Sequence, residues 1–114
     1  MSITRKMLRA KLHRVTVTHG DLEYEGSLTI PPDLMQLADI KEYEAISVWN
    51  VTNGERFETY AIHGLEGSRD ICVNGAAAHL ASPGDSLIIA CFTEVPEEKL
   101  QDHKPKLIFV KDNN

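Results

Sequence analysis

Residues 45–62 read AISVWNVTNGERFETYAI and carry the clearest fold signal of the 114-residue chain. Residues 45–51 and 55–62 are short runs in which β-branched and aromatic side chains recur, a pattern that is typical of β-strands. Between the two runs, the pair Asn53-Gly54 accepts the positive φ angles that a tight hairpin turn requires. The stretch therefore predicts two antiparallel strands joined by a hairpin turn.

Outward from this hairpin, short apolar runs recur at close spacing and are interrupted by glycine and proline. Pro31-Pro32 favours the start of a short helix over residues 33–39, because proline suits the first helical turn. The other predicted elements are strands at residues 15–18, 27–30, 71–73, 86–92 and 106–110, a turn at 19–21, and small helices at 74–80 and 96–100. Many short strands with little helix favour a mainly β fold, a small barrel with short helices.

Length and charge limit the class of protein. A chain of 114 residues with 42% hydrophobic side chains is long enough to bury one core, so residues 1–114 are expected to form a single domain. A net charge of −5 argues against a nucleic-acid partner, because no basic field is present to displace counterions from phosphates. The basic N-terminal segment, residues 1–9, has no apolar stretch, and no run approaches transmembrane length. We expect a cytoplasmic protein with no membrane partner.

Several kinds of catalytic or metal site find no support in the sequence. Cys72 and Cys91 stand alone in apolar runs, which predicts reduced core thiols rather than a disulfide framework or a zinc site. No pair of histidines has ligand spacing, so no metal is expected. A Ser–His hydrolase is unsupported because the chain has no G-x-S-x-G segment.

The pair Gly26-Ser27 lies directly before a short apolar run. Glycine allows strained or positive-φ backbone and the close approach of another group to its carbonyl. A serine hydroxyl held against that carbonyl could convert the amide to an ester, and the chain could then break and leave a pyruvoyl ketone at the new N-terminus. The plain alternative is a turn or a bulge, which is the commoner meaning of Gly-Ser.

Three other stretches hold candidate functional residues. In KLHR at 11–14, Lys11 could pair with a substrate carboxylate or simply be solvated at a strand end. Strand alternation places Arg56 and Tyr60 on one face, where they could supply a carboxylate-binding fork and a phenolic proton donor, or be a surface cation and a packing ring. In VNGAAAH at 73–79, small residues at a helix start could aim backbone N–H groups at an anion or could serve close packing.

Five segments occur together in one order and spacing: KLHR at 11–14, YEGS at 24–27, WNVTNGERF at 49–57, TYAI at 59–62 and VNGAAAH at 73–79. Together they resemble the bacterial aspartate alpha-decarboxylase family, and the likeness runs from about residue 7 to about residue 92. The resemblance implies a double-psi β-barrel, a homotetramer with active sites between subunits, and self-cleavage into residues 1–26 and 27–114. It also implies decarboxylation of the small-molecule substrate L-aspartate to β-alanine and CO2 for pantothenate biosynthesis.

The resemblance assigns a role to each matching position. Ser27 becomes the covalent, self-generated pyruvoyl cofactor that forms a Schiff base with substrate, and Gly26 lies on the other side of the cleaved bond. Tyr60 is the proton donor, and Asn74 supports the oxyanion during processing or catalysis. Arg56 and Lys11 hold carboxylates. The other implied positions are Thr59, Gly75, Ala76 and Ala77 at the substrate site, and His13, Tyr24 and Trp49 in support.

The sequence leaves several alternatives open. The same motifs would occur in an uncleaved barrel that serves as a binding or assembly module, and in a pyruvoyl decarboxylase for another amino acid. Glu23 stands where many relatives carry histidine, and a need for a maturation partner is undecided. Regular alternation puts Thr59 and Tyr60 on opposite faces, so either the strand is irregular there or the two residues act in different steps.

Overall fold

The computed structural model describes residues 3–111 and 113–114. Met1 and Ser2 of the basic N-terminal segment, and Asp112, lie outside the described residues. In the described part, the elements are β1 (Thr4–Thr16), β2 (His19–Asp21), β3 (Ser27–Ile30), α1 (Pro32–Ala38), β4 (Ala45–Asn50), β5 (Arg56–His63), β6 (Cys72–Asn74), the 3-10 helix η1 (Gly75–His79), β7 (Ser86–Pro96), the 3-10 helix η2 (Glu97–Asp102) and β8 (Lys106–Phe109).

The strands of the described residues form one mixed sheet in the order β2-β6-β3-β5-β4-β7-β1-β8. The long strands β1 and β7 pair antiparallel, with register shifts near Arg9 and Arg14 that mark bulges in β1. Arg14 has a φ of 68°, a conformation that bulges accommodate and regular strands do not. The pairs β1–β8, β2–β6 and β3–β5 are parallel, so the chain crosses over the sheet several times. This architecture is that of a small, mainly β double-psi barrel with short helices. The sequence pattern predicted the small barrel, and the family resemblance implied its double-psi form.

Aliphatic side chains from most of the strands and from α1 fill the interior. In β4, Ile46 and Val48 are buried while Ser47 and Trp49 are only partly covered, which is the period-two pattern of a strand with one face on the core. Burial of such side chains is the main driving force for folding, at roughly 25 cal/mol per Å² of apolar surface. The largest fully buried side chains include Leu12, Leu28, Ile30, Met35, Ile46, Ile71, Leu87 and Ile89.

Most of the predicted elements are confirmed. The hairpin joins β4 and β5 through residues 51–55, and Gly54 has a φ of +81° in its turn. The predicted helix at 33–39 corresponds to α1, which has proline in its first turn and ends on a left-handed Asp39. The predicted strand at 27–30 is β3.

Two predictions at the N-terminal end need correction. The strand predicted at 15–18 is confirmed at residues 15–16, but it is the end of β1, which begins at Thr4 and ends at Thr16. Long-range pairing with β7 holds the earlier part of β1, whose first three residues are exposed. The turn predicted at 19–21 is β2, whose three residues are all exposed. Backbone pairing with β6 alone makes it a strand, and such pairing leaves no pattern in the sequence.

Candidate active site

Ser27 is the first residue of β3, and it is buried, with 1% of its surface exposed. On one side it pairs with Asn74 of the antiparallel strand β6. On the other side, Leu28 pairs with Ala61 of the parallel strand β5, so the same register brings Ser27 beside Tyr60. The sheet therefore brings three of the predicted residues together although they are far apart in sequence.

The Ser27 hydroxyl has polar partners on both sides. Asn74 Nδ2 donates to Ser27 Oγ at 2.9 Å and to Thr29 Oγ1 at 3.0 Å. Ser27 Oγ donates to the Glu25 carbonyl at 3.4 Å, a long hydrogen bond. An N–H donor on Oγ stabilises negative charge there, so this arrangement assists the hydroxyl when it gives up its proton.

The backbone around Gly26 is in close contact with the start of η1. Gly75 has a φ of +74°, and a Cβ on Gly75 would lie 3.1 Å from the Tyr24 carbonyl oxygen and still closer to Gly26. Gly26 itself does not use the left-handed region, and a Cβ added to it would meet nothing within 4 Å. The special glycine geometry that the sequence suggested at Gly26 is thus found at Gly75.

Ser27 opens into a pocket of about 280 Å³. Tyr60 is half-buried in its wall, and the Tyr60 ring lies 6.3 Å from the ring of Tyr43. The exposed Tyr24, a predicted supporting residue, lines the same pocket. The full lining is Tyr24, Glu25, Ser27, Glu42, Tyr43, Tyr60, Ile62 and His63.

Arg56 and Trp49 lie outside this pocket. They pair across the β4–β5 hairpin, and the Arg56 guanidinium lies 4.7 Å over the Trp49 ring, a cation–π contact. Arg56 precedes Tyr60 by four residues on β5, about 13 Å at the usual rise of a strand. Arg56 and Trp49 line a separate pocket of about 360 Å³, together with Lys6 and Glu58.

Lys11 and His13 lie on β1, where β7 and β8 flank the strand, and they do not line the Ser27 pocket. Burial, and then the nearby charges of Lys11 and Arg14, lower the pKa of His13 from its usual 6.5, so its imidazole is neutral at pH 7. The buried His13 Nδ1 has no hydrogen-bond partner among the described residues, and the ring meets the Phe109 ring edge-on at 5.4 Å.

Thr59, Ala76 and Ala77 also lie away from the lining of this pocket. The β4–β5 pairing continues without a shift from Arg56 to Tyr60, so β5 is regular and Thr59 and Tyr60 face opposite sides. In η1, Ala76 is exposed whereas Ala77 packs against the core. In one chain, therefore, the structure brings Gly26, Ser27, Tyr60, Asn74 and Gly75 together, and the predicted cations lie elsewhere.

Sequence reasoning missed several residues of this site. Thr29 and Cys72 pair across β3 and β6, and both contact Asn74. The patterns Ser27-x-Thr29 and Cys72-x-Asn74 have the period of a strand face and could have indicated these two residues, had the pairing of the two strands been known. Glu42, Tyr43 and His63 reach the pocket from loops and a strand end, and no sequence pattern marks them.

Within residues 3–111 and 113–114, no group of three His, Cys, Asp or Glu side chains is arranged to hold a metal ion. In the same range, every helix is too short or too polar to cross a membrane.

The fold and the site together define a small β-barrel protein with a buried Ser–Asn pair beside a tyrosine. A sequence profile described as Aspartate decarboxylase matches residues 3–114, and the chain belongs to this family. It is 61% identical over 110 residues to an aspartate 1-decarboxylase of Rhodopirellula baltica, covering 96% of this chain and 70% of that protein. Aspartate 1-decarboxylases of Legionella pneumophila and Syntrophotalea carbinolica are 59% and 56% identical over 96% of this chain, and 83% and 84% of their own lengths are covered.

Proposed function

We propose that the chain decarboxylates L-aspartate to β-alanine and CO2, a lyase reaction that supplies pantothenate and coenzyme A biosynthesis. The observation that carries the proposal is the position of Ser27, buried under the Asn74 amide and beside Tyr60 in one pocket. The family membership and the names of the relatives support the same reaction.

The proposed maturation begins at the Gly26–Ser27 bond. Ser27 Oγ adds to the Gly26 carbonyl, the C–N bond breaks, and the proton of the hydroxyl passes to the Ser27 nitrogen, which leaves an ester. Elimination across the Ser27 Cα–Cβ bond then releases Gly26 as a carboxylate and leaves dehydroalanine, from which water displaces ammonia to give the ketone. Asn74 stabilises charge on Oγ in the first step, and the contact between Gly75 and Gly26 fixes the backbone that is attacked.

The surroundings of Ser27 fit a pyruvoyl group at this position. The amide nitrogen of Asn74 faces residue 27 and is held by Thr29 Oγ1 as well, and Gly75 leaves room for the backbone because it carries no side chain. When present, such a ketone supplies an electron sink for the carbon that loses CO2. Tyr60, on the wall of the pocket, holds a phenolic proton that it delivers to that carbon.

L-Aspartate has two carboxylates, and their binding calls for cationic side chains. Among the described residues, the Ser27 pocket of a single chain contains no lysine or arginine. Its lining contains Glu25 and Glu42 instead. The Arg56 side chain lies on an exposed surface over Trp49, and Lys11 lies on β1. We therefore propose a homotetramer in which another copy brings Arg56 or Lys11 to the Ser27 pocket. Thr59, Ala76 and Ala77 complete the substrate site in that assembly.

The proposed setting is the cytoplasm. Cys72 and Cys91 are both free thiols, which suits a reducing compartment. The net charge of −5 supports a small-molecule substrate rather than nucleic acid.

The deciding experiment measures β-alanine formed from L-aspartate by purified protein whose intact mass has been recorded. We expect two chains, residues 1–26 and 27–114, and turnover of aspartate well above that of glutamate. Cleaved protein that is idle with aspartate but active on another amino acid would favour a different pyruvoyl decarboxylase. Protein that remains one chain and inactive would favour a binding or assembly module.

A further inference from the structure

Four side chains form a polar cluster across the antiparallel pair β3–β6. Ser27 is opposite Asn74, and Thr29 is opposite Cys72. Asn74 has a partner on each polar atom: its Nδ2 donates to Ser27 Oγ and Thr29 Oγ1, and its Oδ1 accepts from Cys72 Sγ at 3.1 Å. Both donors and the acceptor of this buried amide are therefore in use.

The orientation of the Asn74 amide decides what Ser27 experiences. With Nδ2 facing Ser27, Oγ receives an N–H donor, which stabilises charge on the nucleophile. With the amide turned over, Oδ1 would face Ser27 and would instead bind the hydroxyl proton. The hydroxyls of Ser27 and Thr29 donate and accept alike, so they do not choose between the two orientations.

Cys72 is the partner that favours the observed orientation. Its neutral thiol has one proton to donate, and this proton matches the amide oxygen. Burial, followed by the charges of Asp21 and Asp70, raises the pKa of the Cys72 thiol, so the proton stays on sulfur at neutral pH.

Cys72 does not line the Ser27 pocket. It is half-buried and lines a neighbouring cavity of about 470 Å³, which Asn74 also lines. The side-chain hydrogen bonds that link Cys72 to Ser27 run through the amide of Asn74.

We infer that Cys72 is a positioning residue for maturation: its S–H group holds Asn74 Oδ1 so that the amide nitrogen faces Ser27 Oγ. This inference rests on the proposed self-cleavage between Gly26 and Ser27. It assigns the thiol a part in formation of the active site and none in contact with the substrate.

The first test compares cleavage rates of Cys72→Ala, which removes the donor, and Cys72→Ser, which keeps an O–H donor. Freshly purified precursor is incubated, and fragments 1–26 and 27–114 are followed by intact mass. We expect roughly tenfold slower cleavage in Cys72→Ala, the size of one well-placed hydrogen bond, and a rate within about threefold of wild type in Cys72→Ser. Cys91→Ala is the matched control, because that thiol lies in the core on β7 and should leave the rate unchanged.

Equal slowing in Cys72→Ala and Cys72→Ser would overturn the inference, since it would indicate size rather than hydrogen bonding. So would a wild-type rate in Cys72→Ala. A wild-type protein that never cleaves would instead contradict the proposed function, and a second measurement then decides the role of Cys72.

That second measurement is independent of cleavage. In the Ser27→Ala background, NMR follows exchange of the Asn74 side-chain amide protons with solvent. Addition of Cys72→Ala should shift the Asn74 signals and speed the exchange by roughly fivefold or more, the effect of losing one hydrogen bond, whereas addition of Cys72→Ser should leave the exchange slow. Unchanged signals in the Cys72→Ala protein would overturn the inference.

Discussion

A Cβ on Gly75 would lie 2.8 Å from both the Cα and the backbone nitrogen of Gly26. Such a distance is shorter than a Cβ tolerates, and the atoms it meets are backbone, which does not swing aside. The contact joins the start of η1 to the residue that precedes β3. Residue 75 therefore determines how closely the chain approaches the bond at which cleavage is proposed.

Gly75→Ala should impair maturation more than stability alone explains. The positive φ of +74° adds strain of about 1–2 kcal/mol for a residue with a Cβ, and the clash moves the Gly26 backbone in addition. We expect cleavage to slow by roughly a hundredfold or more, because small displacements of reacting groups have effects of this size. Timed mass spectrometry and thermal melting of the same samples measure the two effects separately.

Gly67→Ala is the matched control for this variant. Gly67 has a φ of +81°, but an added Cβ would meet nothing within 4 Å. It should lose similar stability and still cleave at the wild-type rate. Equal slowing in both variants would refute the importance of the Gly26–Gly75 contact.

Ser27→Ala should remain a single, inactive chain of 114 residues, because no hydroxyl is left to attack the Gly26 carbonyl. Its control is Thr29→Ala, which removes the other hydroxyl that Asn74 contacts but keeps the nucleophile. Intact mass should show both fragments in the control after incubation and only the whole chain in Ser27→Ala. Detection of fragment 27–114 from Ser27→Ala would disprove the assignment of the nucleophile.

Arg56→Ala should cleave normally but use aspartate poorly. The proposed cleavage uses the Ser27 hydroxyl and the Asn74 amide and needs no cation, so Arg56 takes no part in it. Loss of a charge-assisted bond to a carboxylate weakens binding by about 1.5–3 kcal/mol, which lowers kcat/KM roughly ten- to a hundredfold. Steady-state kinetics on fully cleaved protein test this expectation.

Arg5→Ala provides the comparison, because Arg5 is an exposed arginine paired with Glu97 and lies outside both pockets. The kcat/KM of Arg5→Ala should equal that of wild type. If Arg56→Ala also has the kcat/KM of wild type, then Arg56 is a surface cation that packs on Trp49.

Local patterns predicted the elements whose side chains alternate, and they missed those held by pairing alone. The hairpin β4–β5 combines an alternating strand with an Asn-Gly turn, so its signal is complete within 18 residues. The first three residues of β1 and the whole of β2 are exposed and depend on partners far along the chain. Such segments show no alternation of buried and exposed side chains, so the sequence pattern does not predict them.

The same distinction holds for the site. Ser27, Tyr60 and Asn74 were selected by chemistry and by the family resemblance, but their proximity follows from the registers of β3 with β5 and β6. Those registers are long-range facts that a single sequence does not state. The separation of Arg56 from Ser27 is equally invisible in sequence, where both simply appear within family motifs.

The stability of the protein should fall on acidification through a contribution from His13. Its pKa is lowered in the fold, so the unfolded chain binds the proton more readily than the folded chain does. Above pH 6.5, the usual pKa of histidine, the ring is neutral and its contribution to the free energy of unfolding is fully present. This contribution is lost as pH falls from 6.5 through the lower pKa of the folded state. Urea unfolding at a series of pH values should show a shallower decline in His13→Gln than in wild type below pH 6.5. Parallel curves would show that His13 does not contribute.

Tyr60→Phe should separate maturation from turnover. The change keeps the ring that packs near Tyr43 and removes only the phenolic group, so folding should survive. Cleavage uses the Ser27 hydroxyl and the Asn74 amide and should persist. If Tyr60 protonates the carbon that loses CO2, kcat should fall by roughly 10²–10⁴-fold, the usual effect of losing a positioned general acid.

Tyr43→Phe is the matched control, since Tyr43 lines the same pocket on its exposed side and should keep near-normal turnover. Mass spectrometry establishes that both variants are cut, and β-alanine formation is then measured on the cut proteins. Near-normal turnover by Tyr60→Phe would mean that water or another side chain delivers the proton, and Tyr60 would then be a packing residue of the pocket wall.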